Sequence, residues 1–271
     1  MFAKLAVGEV SPMMLIMLRW FGVVLIALAI SHKQLKQYWP ILKENFVYLA
    51  AMGALGFTVF NGLFYMAAHN TTALNMGIIQ GMIPVIVMLG SFIAYQTKVS
   101  SLQMIGVAIT LLGVCLVATQ GEIERLFSLS FNRGDLMILG ACILYAGYSI
   151  WLTKKPQVPA LVWFTALAVS AFAASIPIAS IEYALGYSLW PSQTGWVLIG
   201  LIILFPSFLA QVFYIRGIEL IGANRAGVFV NLVPILASIA AVFVLGEHFY
   251  WYHGVALTMV LGGIFIAERW R

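Results

Sequence analysis

The segment from Thr71 to Thr97 reads TTALNMGIIQGMIPVIVMLGSFIAYQT, and a second version of it runs from Ile221 to Glu247 as IGANRAGVFVNLVPILASIAAVFVLGE. At a fixed offset of 150, Ala73 matches Ala223, Gly77 matches Gly227 and Pro84 matches Pro234. Both copies start with small residues, stay apolar, carry one amide near the middle (Gln80 and Asn231) and place proline at the same point. Self-similarity at a long fixed period is a fold-level signal, because it means the architecture itself is repeated. The chain reads as two related halves.

Composition sets the solvent. Of 271 residues, 63% are hydrophobic and 8% charged, where a soluble domain carries about 25% charge. Apolar runs recur along the whole chain, each long enough for a hydrocarbon core about 30 Å thick. Helices satisfy their own backbones in lipid, whereas a barrel would show short alternating segments. The net charge of +5 does not indicate nucleic acid, because the basic residues stand singly or in pairs between apolar spans. Cys115 and Cys142 fall inside expected spans and read as small apolar packing residues. The opening MFAKLAVGEVSP lacks the form of a cleavable signal peptide.

Complete spans are expected at 12–31, 46–68, 73–95, 101–119, 135–153, 159–181, 195–215, 223–245 and 250–267. Pro12 suits the first turn of its helix, and the basic link HKQLKQYWPILKEN separates the first two spans. The halves explain the odd count. PALVWFTALAVSAF after Pro159 corresponds to PMMLIMLRWFGVVL after Pro12, and a full helix precedes only the later proline. Residues 1–8 then read as the end of a first helix whose earlier turns are missing. This gives an N-terminal repeat over 1–120, a connecting loop over 121–134 and a C-terminal repeat over 135–271. If the last helix ends inside, Lys33, Lys36, Lys43, Lys98, Lys154, Lys155, Arg216, Arg225, Arg269 and Arg271 are cytoplasmic. Only Arg125 and Arg133 then lie outside, beside Glu9, Glu122, Glu124, Asp135, Glu182 and Glu247. Five helices per half is odd, so the halves enter the membrane from opposite sides. The expected fold is an all-α integral membrane protein, an inverted 5+5 repeat with nine complete spans and the first helix largely absent. Inverted repeats of this kind typify secondary transporters, with the site near the midplane.

The chain resembles the drug/metabolite transporter superfamily, and within it the EamA-type ten-helix exporters. The marks are PMMLIMLRW with Arg19, FYMAAHNTTALNMGIIQGMIPV, GVAITLLGV, GDLMILGACILYAGYS, IELIGANRAGVFVNLVPI and LGEHFYWYHGVALTMVLGG. Two positions depart from the pattern: the first helix is nearly absent, and Thr97 stands where an acid usually follows the fourth span, while the second half keeps Glu247. The resemblance implies export of amino acids, other metabolites or toxic compounds.

Polar side chains inside spans are costly and mark function by default. Asn61 and Tyr65 lie four apart and share a helix face; Gln211 and Tyr214, three apart, also share one. Gln80 and Asn231 each precede a proline by about one turn. Counting from span centres puts Asn61 and Gln80 outside the midplane and Gln211 and Asn231 inside it, each displaced by ~5–8 Å. The four amides then bracket the bilayer centre, either as substrate ligands or as interhelical hydrogen bonds worth about 0.6 kcal/mol each. Tyr145 and Tyr148, with Trp163, Phe60 and Phe64, form an aromatic wall in the first reading and ordinary packing in the second. Gly77 and Gly227 admit close helix approach, and Pro84 and Pro234 permit bending, as hinges or as fixed kinks. Trp39, Trp190, Trp251 and Trp270 read as an interfacial belt. Arg19, a full charge well within a span, reads as structural, snorkelling outward or paired with Glu9. Arg216, Glu219 and Arg225 cluster at the inner mouth, as a gate or as a solvated ion-pair group.

No carboxylate lies near the centre of a span. An exporter of lipophilic cations would use one to exchange protons, so the solute expected is neutral or zwitterionic, an amino acid for example, with multidrug export as the alternative. His69 and His253, at outer ends, are weak candidates for proton coupling. An intramembrane enzyme would show HExxH, paired aspartates or a Ser/His pair at depth, and a channel would show rings of like residues; the sequence has none of these. No metal or cofactor motif is present. The partners expected are a small-molecule substrate and the lipid bilayer, not nucleic acid, with monomer and dimer both open. The location expected is the cytoplasmic membrane of a bacterium, C-terminus inside.

Overall fold

The computed structural model describes residues 8–122, 124–127, 129–245 and 248–268. Among them, nine helices are long and apolar enough to cross a membrane. They are α1 (Pro12–Glu44), α2 (Phe46–Ala68), α3 (Ala73–Gly81 and Ile83–Tyr95), α4 (Ser101–Ala118), α5 (Arg133–Leu152), α6 (Ala160–Ala184), α7 (Gln193–Ile221), α8 (Ala223–Phe229 and Leu232–Leu245) and α9 (Trp251–Glu268). None of the described residues forms a strand. Residues 1–7, proposed as a helix remnant, and Glu247, Arg269, Trp270 and Arg271 lie outside the described residues.

Caps fix most boundaries. Thr72 accepts from the Asn75 amide at the start of α3, Ser192 from Gly195 at the start of α7, and Ser100 forms a reciprocal capping box with Gln103 at the start of α4. Between α7 and α8 the turn is a single residue, Gly222, at φ 81° and ψ 164°. That region is open essentially only to glycine. The basic link after residue 31 is not a loop. Its Lys, Leu and Gln are good helix formers, nothing before Asn45 stops them, and α1 runs on through Pro40 for 33 residues. At about 50 Å it outreaches the ~30 Å hydrocarbon core.

Two helices widen to π geometry at matching points of the repeat: α2 over Ala54–Val59 and α7 over Ile203–Leu209. Gly56 and Pro206 occupy corresponding positions, again 150 apart. Pro206 lacks an N–H and cannot continue the i→i−4 ladder. Side chains collect carbonyls near these wide turns: Ser207 Oγ donates to Ile202 O at 2.7 Å and Asn61 Nδ2 donates to Phe57 O.

The chain forms two compact units that cut across the sequence halves. One comprises residues through Tyr65 with Trp151–Leu220; the other is Met66–Ile150 with residues from Ile221 onward. The first is centred on α1 against α6, with Trp20 stacked on Phe57 at 4.6 Å and Phe164 edge-on to Phe57 and Phe208. In the second, α4 and α9 cross almost backbone to backbone: a Cβ on Gly106 would lie 2.5 Å from the Gly263 carbonyl, and one on Gly263 2.6 Å from that of Gly106. Small residues permit this approach, which packing rather than hydrophobic transfer drives in lipid. Outward faces are apolar: Ile93 is 75% exposed and Phe213 68%, which suits acyl chains. Trp39, Trp190 and Trp251 are exposed near helix ends.

Candidate functional site

The polar centre of the first unit is Arg19 on α1. It is 9% exposed, so it does not snorkel. Its Nη1 donates to Asn61 Oδ1 at 3.1 Å, its guanidinium lies 4.9 Å from the Trp20 ring centroid, and the Tyr65 hydroxyl is also within hydrogen-bonding reach. Asn61 and Tyr65 do share a face, one turn apart on α2, and Arg19 is what they face. The expected pairing of Arg19 with Glu9 is not formed; Glu9 accepts from Ser192 Oγ instead. Nor does Glu182 behave as a loop acid. It caps α1 from the end of α6, accepting from Ser11 Oγ at 2.7 Å and from the backbone amides of Met13 at 3.1 Å and Met14 at 3.0 Å. An anion suits those donors and the positive end of the helix dipole. Pro12 sits at the first position and needs no partner for a missing N–H.

Gln211 and Tyr214, also in the first unit, are half-buried on α7 just past its π segment. Phe64 packs between Phe60, at 6.1 Å, and Tyr65, at 6.0 Å. Trp163 is fully enclosed, its ring 5.8 Å from Tyr48, which fits packing rather than an accessible wall.

In the second unit, the prolines start helix segments rather than kink them. The first segment of α3 ends at Gly81, Met82 breaks the ladder, and Pro84 is the second residue of the next segment. In α8 the break falls at Val230 and Asn231, with Pro234 third in the following segment. In a first turn the absent proline N–H leaves nothing unsatisfied. Gln80 is half-buried before the α3 break. Asn231, 1% exposed, stands in the α8 break; its Nδ2 donates to Thr110 Oγ1 at 2.9 Å, and its Oδ1 is buried without a partner. A methyl at Gly77 would meet Ala118 Cβ at 3.4 Å, and one at Gly227 would meet Val87 at 3.6 Å. These are ordinary contacts; approaches that demand glycine are found instead at Gly106 and Gly263 on α4 and α9, and at Gly134 against Asn70 and Thr71, none of which the sequence reading singled out. Tyr145 and Tyr148 pair on α5 with ring centroids 5.9 Å apart, Tyr148 being buried.

Asp135, expected in an outer loop, is 1% exposed in the first turn of α5. It accepts from Thr71 Oγ1, from Asn75 Nδ2 at 2.9 Å and from the Asn132 amide at 2.9 Å. Asn75 thus ties the start of α3 to α5, a role no sequence signal marked. At the other end of the spans, Glu219 pairs with Arg216 and with Lys155, each at 2.7 Å, whereas Arg225 pairs with Glu268 at 3.6 Å. The expected three-residue cluster is therefore two separate ion-pair groups. His253 Nδ1 accepts from the Tyr250 amide at 3.1 Å, a local helix-start bond. An apolar groove of about 480 Å³ between α3 and α4, lined by Val85, Met88, Phe92, Met104 and Leu111 among others, includes none of the amide or tyrosine candidates. Among the described residues no group of three or more His, Cys, Asp or Glu side chains is placed to hold a metal ion.

Known proteins place this architecture. A solved crystal structure superposes with a TM-score of 0.80 at 17% identity, covering 98% of this chain and 90% of that one, which speaks to the fold. Two uncharacterized transporters of Bacillus subtilis align along most of the chain. YyaM is 28% identical over 84% of this chain and 74% of its own length, and YetK 24% identical over 85% and 70%. An uncharacterized transporter of Methanothermobacter thermautotrophicus is 21% identical over 83% of this chain and 65% of its own. The sequence pattern of one family matches residues 1–119 and 132–268: the chain belongs to the EamA-like transporter family.

Proposed function

We infer that this multi-pass transporter is a secondary carrier that exports a small neutral or zwitterionic metabolite, amino acids among them, by alternating access. The observation that carries the reading is the position of the four amides at backbone discontinuities. Asn61 and Gln211 follow the π segments of α2 and α7, Gln80 precedes the break in α3, and Asn231 stands in the break of α8. Non-helical backbone at membrane depth is tolerated where it is buried in protein or lines an aqueous path, and transporters build their binding sites from broken helices. On this reading Asn61, Tyr65, Gln80, Tyr145, Tyr148, Gln211, Tyr214 and Asn231 contact the solute, and Gly77, Pro84, Gly227 and Pro234 flank the points of bending. The repeats 1–120 and 135–271 are the inverted halves. Acidic residues confined to span ends disfavour proton exchange against a lipophilic cation. The basic inner loops orient the C-terminus to the cytoplasm, and a bacterial cytoplasmic membrane is the expected home.

The test is counterflow in proteoliposomes with labelled amino acids and related solutes. Saturable, trans-stimulated exchange by the wild type is expected; leak without saturation would make the protein a channel, and no exchange of any solute would remove the carrier reading.

A further inference from the structure

Arg19 is a buried cation without a counter-charge. Among the described residues no carboxylate forms an ion pair with it. The acids that pack nearest the start of α1 are committed elsewhere, Glu9 to Ser192 and Glu182 to the helix N-terminus. Its hydrogen bond at 3.1 Å, to Asn61, is to a neutral acceptor, and the orientation of that acceptor is fixed. Because Asn61 Nδ2 donates to Phe57 O, the amide oxygen must face the guanidinium. Nε is buried with no hydrogen-bond partner among the described residues. A buried charge serving structure alone is normally paired, because leaving it unpaired is far costlier than replacing it with an apolar side chain. The guanidinium fork matches one chemistry above others, the two oxygens of a carboxylate.

We propose that Arg19, oriented by Asn61 and Tyr65 and backed by Trp20, is the anchor for a carboxylate carried by the transported solute. The solute's carboxylate supplies the missing negative charge and the acceptor for Nε, while Asn61 holds the fork without neutralising it. The assignment rests on the carrier reading and narrows it: the solutes are small carboxylates, amino acids included, and amines lacking a carboxylate are excluded.

The test uses full-length protein in micelles and in proteoliposomes with matched probes: L-phenylalanine, 3-phenylpropionate, 2-phenylethylamine, inorganic phosphate and sulfate. The wild type should be protected against heat, and exchange label, with the two carboxylates at least tenfold better than with the amine or the inorganic anions. Arg19→Gln should lose that preference. Asn61→Asp provides the decisive arm, since it places a built-in carboxylate on the guanidinium. It should melt at or above the wild-type temperature and yet lose carboxylate binding at least tenfold. Wild-type affinity in Asn61→Asp, equal affinity for amine or sulfate, or no carboxylate binding at millimolar concentration would each overturn the proposal. Saturable exchange of a carboxyl-free solute sinks this assignment and spares the carrier. Arg19-dependent carboxylate binding without exchange does the reverse.

Discussion

The α4–α9 crossing offers a sharp energetic test. Replacing Gly106 by alanine puts a methyl 2.5 Å from the Gly263 carbonyl oxygen and 2.8 Å from both Cβ and N of Ala267. None of these atoms can rotate away, so the helices must separate. Overpacking of this kind costs about 1–3 kcal/mol, and the rigid surroundings put Gly106 at the upper end. Alanine returns up to about 1 kcal/mol of helix propensity. The net expectation is a loss of about 2 kcal/mol. Gly263→Ala meets the Gly106 carbonyl at 2.6 Å and Thr110 Cγ2 at 2.7 Å and should cost about the same. The double variant should cost clearly less than the sum, because helices parted by one methyl have made room for the other. Gly77→Ala is the control: its methyl finds ordinary contact at 3.4 Å, so propensity should dominate and stability hold or rise. Thermal unfolding in detergent, followed by loss of the monodisperse chromatographic peak, reads all four proteins. If Gly106→Ala melts with Gly77→Ala, at or above wild type, the backbone-to-backbone crossing is wrong.

Three further outcomes follow from single contacts. Gly222→Ala forces a Cβ into a backbone region that costs about 1–3 kcal/mol, although nothing lies within 4 Å of it; a melting temperature equal to wild type would reject the stated φ. Glu182→Gln keeps the shape of the α1 cap but removes its charge, and should cost about 1–2 kcal/mol by loss of charge-assisted bonds, read as a lowered melting temperature that Glu182→Asp restores only in part. Asn231→Ala removes one interhelical bond to Thr110 worth about 0.6 kcal/mol, too little to unfold the protein, so exchange should fall at least tenfold while the melting curve stays near wild type; unchanged exchange would remove Asn231 from the site.

The membrane class and every span were legible because they depend on hydrophobic runs and on a 150-residue offset, both of which survive divergence in detail. Pro84 and Pro234 pointed to the two breaks within a few residues. What stayed hidden depends on contacts distant in sequence. Glu182 looks like a loop acid until α6 delivers it to the start of α1. Gly106 and Gly263 are two among many glycines until their helices cross. The π segments left one faint trace, Gly56 and Pro206 at matching positions, but a wide turn has no periodicity of its own to read. The snorkelling of Arg19 failed for the same reason: a long side chain two turns into a span has two destinations, and only the partner helix decides between them.

Two buried charges, Asp135 in the first turn of α5 and Arg19 two turns into α1, contrast a self-contained ion with an unpaired one. Asp135 is 1% exposed and meets a hydroxyl, a side-chain amide and a backbone N–H, all from residues beside the starts of α3 and α5. Asn75 Nδ2 also donates to Ser130 O at 3.1 Å, so the network closes on itself and needs nothing further. Arg19 is buried almost as deeply, yet its circle is left open. It has one fixed neutral acceptor, an indole face and a phenol, with Nε unmet. Evolution had an inexpensive way to close it, since Asn61→Asp differs by a single functional group and would pair the charge. A site that binds and releases an anion needs a charge the protein does not neutralise itself, whereas a purely structural arginine gains nothing from staying unpaired. The open set of contacts around Arg19, beside the closed one around Asp135, is the observation that supports the proposed carboxylate anchor between α1 and α2.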